Sequence, residues 1–166
     1  MEIHRLLLVS VFLVSVVVQC QWANDVSRME AEPISANLTK KPFTDECLNC
    51  ICETINCTAA NSKCKGDICG RFSIDRANWK DAGHPTVLFD DVESDGAFER
   101  CANDFECARL TIKKYMDTHP HDCNNDSIID CYDYGAIHFS GTFKCKSPMS
   151  QAIGATFSTC LSKMKN

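Results

Sequence analysis
The sequence predicts an α+β fold, mainly helical, with one small β-hairpin and a dense frame of disulfides. Three observations carry that expectation. Twelve of the thirteen cysteines fall between Cys47 and Cys160, a density that suits an exported, cross-linked chain. Several segments place apolar residues at helical spacing behind recognisable caps. Only one short stretch, Arg71-Phe72-Ser73-Ile74, alternates as a half-buried strand would.

The elements follow in order. Met1–Arg5 form a basic start, and Leu6–Val18 form a mostly apolar run. The run is shorter than the ~20 residues that cross a bilayer and suits a signal peptide cut after Cys20, with Ala23 as the other option. Residues 1–20 are therefore expected to be removed with Cys20, leaving an even set of twelve cysteines. Residues 21–46 read as a flexible leader, with little apolar content and two prolines. Residues 47–166 should form one domain with one modest core. Each bridge in it typically adds ~2–4 kcal/mol.

Thr44 is a candidate N-cap, and Asp45 and Glu46 would sit in the first turn, where the helix dipole favours acids. Cys47, Cys50, Ile51 and Thr54 then share a face. Asn78–Gly83 reads as a turn or short helix, and His84–Asp91 as a loop holding Pro85. Ser94 is expected to cap a helix carrying Phe98, Cys101, Ala102 and Phe105. Asp104 is expected to cap the next, striped by Ala108, Ile112, Tyr115 and Met116. Asp130–Phe139 gives a short helix with Tyr134 and Ile137 inward. Ser147 and Pro148 mark the last, whose apolar face is Ile153, Phe157, Cys160, Leu161 and Met164.

Charge and motifs bound the function. A net charge of −5 argues against nucleic acid or an anionic membrane as an electrostatically driven partner. Asn37-Leu38-Thr39 and Asn125-Asp126-Ser127 are glycosylation sequons. Asn56-Cys57-Thr58 also fits, although a bonded cysteine at its centre argues against its use. The C-x2-C-x-C cluster from Cys47 to Cys52 has a spacing that zinc accepts, but an oxidising compartment favours disulfides. His119, His121 and Asp122 read as a solvated loop beside Pro120. Asp122, Asn124, Asp126 and Asp133 match parts of a calcium loop, with Ser127 where glycine is needed. No metal and no cofactor is expected. Carboxylates remain: Glu53, Asp67, Asp75 and Asp81 gather around the first helix, the cysteine loop and the strand. Two carboxyls flanking a sugar bond can hydrolyse it.

The ordered motifs resemble the invertebrate-type lysozymes, also called the destabilase family. They are Cys47-Leu48-x-Cys50-Ile51-Cys52, Cys69-Gly70-x-Phe72-x-Ile74, Trp79-x-Asp81-x-Gly83, Cys107-Ala108 and Tyr115-Met116. Cys131-x-Asp133-Tyr134-x-x-Ile137-His138, Gly141 and Cys145 continue them. Segment lengths look most like the insect branch. The resemblance implies a lysozyme-like fold, a secreted protein, expected to be a monomer, and the β-1,4 bond of bacterial peptidoglycan as substrate. It also implies Cys47–Cys131, Cys50–Cys160 and Cys123–Cys145. Spacing alone points to Cys52–Cys57, Cys64–Cys69 and Cys101–Cys107 as local bridges.

The departures from the family matter as much. Active members carry the acid glutamate three residues after the C-x-C, within a spacer of five residues before the next cysteine. Here that spacer is four residues and the third is Ile55; counting back from Cys57 reaches Thr54. Glu53 stands two residues earlier, a rotation of ~200° on a helix. Asp67 is the one carboxylate inside Cys64–Cys69. The serine and lysine credited with isopeptidase activity in some members are Ile68 and Asp75, and two further family cysteines are Ala82 and Thr111. Three readings follow: a wall-binding lysozyme relative with weak or lost muramidase activity, an active lysozyme using Glu53 and Asp67, or a non-catalytic structural or calcium-binding protein.

Overall fold
The computed structural model describes residues 38–58 and 64–164. The expected signal peptide, most of the leader and the Asn37 sequon lie outside these residues. Among the described residues, six α-helices, one 3-10 turn (Thr142–Lys144) and two minimal sheets make up the fold. The helices are α1 (Asp45–Ile55), α2 (Arg76–Asp81), α3 (Ala97–Asn103), α4 (Phe105–Thr118), α5 (Cys131–Ser140) and α6 (Gln151–Met164). Strand β1 (Thr39–Lys40) pairs in parallel with β4 (Ile128–Ile129), and β2 (Ile68–Cys69) pairs antiparallel with β3 (Ile74–Asp75). No described helix is long and apolar enough to cross a membrane.

Local chemistry sets each start. The Thr44 hydroxyl accepts the Cys47 N–H at 3.2 Å, and Asp104 does the same for Cys107 at 2.8 Å. Asp130 and Asp133 form a capping box at the head of α5. The core is one cluster in which Ile51, Phe72, Phe98, Tyr134, Ile137 and Phe157 are at most 1% exposed. Gly135 lets α5 and α6 approach so closely that a Cβ there would overlap the Phe157 ring.

Three expectations are corrected. The leader does not run to residue 46: β1 is hydrogen-bonded to β4, Phe43 is buried, and the Tyr134 hydroxyl donates to the Lys41 carbonyl at 2.6 Å. Ser94 does not cap α3. Its hydroxyl donates within the preceding turn to the Asp91 carbonyl at 2.6 Å, while α3 begins after Gly96, whose φ is 78°. Arg71–Ser73 is a turn and not a strand, because Gly70 and Ser73 take φ of 77° and 52° and reverse the chain between β2 and β3. Phe72 is buried at that turn. The last helix starts at Gln151, three residues beyond Pro148.

Six bridges lock these elements. Cys47–Cys131 ties α1 to α5, Cys50–Cys160 ties α1 to α6, and Cys123–Cys145 closes the loops around α5. Cys52–Cys57, Cys64–Cys69 and Cys101–Cys107 are local.

Candidate active site
The site must be sought where the end of α1 and the β2–β3 hairpin carry the residues singled out above. On α1, Ile51 is fully buried, and Ile55, one turn on, packs partly buried against the same core. Two steps of ~100° separate Glu53 from Ile55. Glu53 accordingly faces α6, where its Oε1 lies 3.4 Å from Lys163 Nζ and its side chain is 54% exposed. The Thr54 hydroxyl donates back to the Cys50 carbonyl at 2.8 Å, an ordinary helix bond. Ile55 is thus a hydrocarbon packed on the core, and Glu53 is half of a solvated ion pair on another face.

Asp67 projects from the hairpin, 79% exposed, with Oδ1 3.4 Å from Arg76 Nε. Arg76 also binds Glu99 and stacks its guanidinium 4.4 Å over the Phe98 ring. Glu99 is held below the usual carboxylate range by the backbone N–H it accepts and by Arg76. Arg76 thus lies between Asp67 and Glu99 and orients both carboxylates. Glu53 and Asp67 stand on separate elements with separate partners, and among the described residues no hydrogen bond or ion pair joins them. Asp75 caps α2 by accepting the Ala77 N–H at 2.7 Å, and Asp81 lies 3.9 Å from His119 Nε2.

Beneath the hairpin, Ser73, Asn78, Thr111, Tyr115 and His138 line a cavity of about 20 Å³, room for about one water. Burial of His138 pushes its imidazole down to about 4, against a hydrogen bond with the Phe72 backbone that works the other way. This ring stays neutral at ordinary pH. The Tyr115 hydroxyl and Thr142 hydroxyl meet at 2.9 Å, and Tyr115 stacks on His119 at 4.4 Å. Arg76 had no sequence signal beyond its charge. His138 had one, as the only histidine of a short, largely apolar helix.

The calcium-like residues make turns. Asp122 Oδ2 accepts from Ser127 at 2.9 Å, Asn124 Oδ1 from Asp126 at 3.1 Å and Asp126 Oδ1 from Ile128 at 2.8 Å, all through backbone N–H groups. The two Asp133 oxygens accept the Cys123 and Asp130 N–H groups at 2.8 Å each. Among the described residues, no group of three or more His, Cys, Asp or Glu side chains is placed to hold a metal ion. A groove of about 720 Å³ runs past Thr44, Cys47, Asp130 and Tyr132, at the other end of α1 from Ile55.

The comparisons with known proteins agree with this frame. The family model described as Destabilase matches residues 44–160. A lysozyme of Ostrea edulis is 27% identical over 119 residues, which is 69% of this chain and 79% of that protein. A lysozyme of Magallana gigas is 29% identical over 64% of this chain and 72% of its own length. Invertebrate-type lysozyme 3 of Caenorhabditis elegans is 28% identical over 61% of this chain and 74% of its own. In fold, the chain resembles a crystal structure of Aeromonas hydrophila PliI in complex with Meretrix lusoria lysozyme. The TM-score is 0.54 at 23% identity, covering 70% of this chain and 89% of that one. Inhibitor-bound lysozyme from Meretrix lusoria gives 0.50 at 25%, covering 70% and 88%. With its helices, its hairpin and its ordered cysteines accounted for by one family over residues 44–160, this chain belongs to the destabilase family of invertebrate-type lysozymes.

Proposed function
We propose that this protein is a secreted lysozyme relative that binds bacterial peptidoglycan and has weak or no muramidase activity. One observation supports the loss of activity above others: Ile55 packs against the core where the family carries its acid, while Glu53 is paired with Lys163 in solvent. A lysozyme acid must hold a proton near neutral pH, which a carboxyl achieves by partial burial. An exposed carboxylate beside a lysine has neither the burial nor the aim. Such proton transfer is worth ~10²–10⁴ in rate, so the protein would keep a sugar-binding surface after losing most turnover. Asp67, oriented by Arg76, would suit the partner role of stabilising positive charge on the sugar.

The six bridges and the Asn37 and Asn125 sequons support export. A monomer with no cofactor, no nucleic acid and no membrane partner is the simplest form of this reading. The second reading, an active enzyme built on Glu53 and Asp67, is favoured by the lysozyme names of the relatives.

Turbidity loss of bacterial walls tests the two. Wild type is expected to lyse them barely above the uncatalysed background. Ile55→Glu is expected to raise the rate by up to ~10²-fold, short of the full acid term because the spacer is one residue shorter. Robust lysis by wild type overturns the proposal.

A further inference from the structure
The residue after Ile55 completes a sequon in the same turn that lacks the acid. We propose that Asn56 carries an N-linked glycan, and that this glycan screens the end of α1 where the family's acid would stand. The inference rests on the secretory reading above.

The geometry of Asn56, Cys57 and Thr58 carries it. Asn56 closes α1 through its backbone, which takes the left-handed conformation at φ 54° and donates its N–H to the Cys52 and Glu53 carbonyls. Its side chain is left out of the cap and is exposed. The Thr58 hydroxyl, also on an exposed residue, points to Asn56 Oδ1 at 3.5 Å. Among the described residues the side-chain nitrogen donates no hydrogen bond. Cys57 between them turns inward, 2% exposed, and bonds Cys52. The bonded cysteine that argued against this sequon is therefore buried, while Asn56 on one side of it and Thr58 on the other are exposed. Transfer acts on the unfolded chain, before the Cys52–Cys57 loop closes. The Asn125 side chain, by contrast, already accepts from Lys146 Nζ at 3.1 Å.

The covalent step is a group transfer with no redox change. The donor is an oligosaccharide linked through a diphosphate to a lipid carrier. Asn56 Nδ2 forms the bond to the anomeric carbon, the bond from that carbon to the diphosphate oxygen breaks, and the amide proton is lost as the lipid diphosphate leaves. The product places a bulky, hydrated oligosaccharide one residue beyond Ile55. A wall glycan laid along that end of α1 would meet it, so the same turn that lost the acid also obstructs the substrate.

The test secretes the full chain from cultured animal cells in an Asn37→Gln, Asn125→Gln background, so that only Asn56 can be modified. Peptide mass mapping before and after an amide-cleaving glycosidase is expected to find the glycan on Asn56, and to lose it in both Asn56→Gln and Thr58→Ala. Pull-down on insoluble peptidoglycan is expected to rise several-fold in Thr58→Ala and after enzymatic removal. An unmodified Asn56 peptide in the secreted protein overturns the site. A modified Asn56 with unchanged wall binding overturns the screening. Absence of wall binding in every form overturns the screening and the peptidoglycan reading together, while occupancy of Asn56 is still read from mass alone.

Discussion
The two ends of α1 are held very differently. At its start, Thr44 caps the helix and Asp45 binds both Arg109 at 2.6 Å and Lys113 at 3.3 Å. Phe43 meets Tyr134 edge-on at 5.2 Å, Cys47 is bonded to Cys131, and β1 is paired to β4. At its end, the last turn carries no basic residue, Glu53 pairs with Lys163 in solvent, and Asn56 turns the chain out of the helix. The start is multiply anchored. The end holds the position proposed for lysozyme chemistry, where Ile55 packs on the core, Cys57 is bonded to Cys52 and the chain then leaves the helix. On the function proposed above, changes at the free end need not disturb the anchored one, so the fold would outlive the activity.

The sharpest way to break that comparison is to attack the anchored end. Asp133 is fully buried and its two oxygens take the Cys123 and Asp130 N–H groups, joining the bridge at Cys123 to the cap of α5. Burial is the main reason its carboxyl sits above the usual range, against those hydrogen bonds. Asp133→Ala leaves two buried donors unmatched and should cost roughly 2–5 kcal/mol. Asp133→Asn, which keeps one acceptor, should cost about half. Urea unfolding followed by circular dichroism measures both. A cost under about 0.5 kcal/mol would mean that α5 is not the anchor described.

What the sequence reveals divides along the same line. Caps are local chemistry, so Thr44 and Asp104 could be read from residue order alone. The resemblance supplied the long-range frame, because twelve cysteines allow ~10,000 pairings and spacing orders only the near ones. Strand β1 was hidden because two residues carry no alternation, and its pairing to β4 is decided 89 residues away. The Arg71–Ile74 alternation misled because Phe72 is buried by a turn whose φ values no pattern of polarity encodes. At the proposed site, the hydrocarbon at Ile55 was legible from residue order alone. The direction of Glu53 was legible only as a rotation, since Lys163 lies 110 residues on. Arg76, which orients Asp67 and Glu99, was not legible, because an arginine's partners are set by the hairpin and α3 coming together.

A smaller effect is expected from pH, and it probes the packing between the two regions. His138 on α5 faces the Phe72 turn and the cavity lined by Ser73, Asn78, Thr111 and Tyr115, and it is kept neutral down to about pH 4. Its folded value lies below its unfolded one, so the unfolded chain binds the extra proton first. Stability is then lost as pH falls from about 6.5 toward 4 and is level below that, on the order of 3 kcal/mol in all. His138→Gln removes this component. Asp133 and the surface acids titrate in both proteins, so the difference between the two pH profiles isolates the imidazole. Parallel profiles would mean that the ring is already solvated.

The smallest effect is expected at Glu53, and its smallness is the point. The Glu53–Lys163 pair is exposed on both sides, 54% and 64%, with a separation of 3.4 Å. Such pairs contribute ~0–1 kcal/mol because water and salt screen them and two long side chains must be ordered. Glu53→Gln should therefore shift stability by less than about 0.5 kcal/mol, and Lys163→Met by no more. Wall lysis should be unchanged in both, because a carboxylate turned toward α6 has no proton transfer to lose. A catalytic Glu53 would behave in the opposite way: lysis would collapse in Glu53→Gln while the unfolding midpoint stayed in place. That single outcome would require α1 to be re-registered at its free end, bringing Glu53 round to the face that Ile55 now occupies.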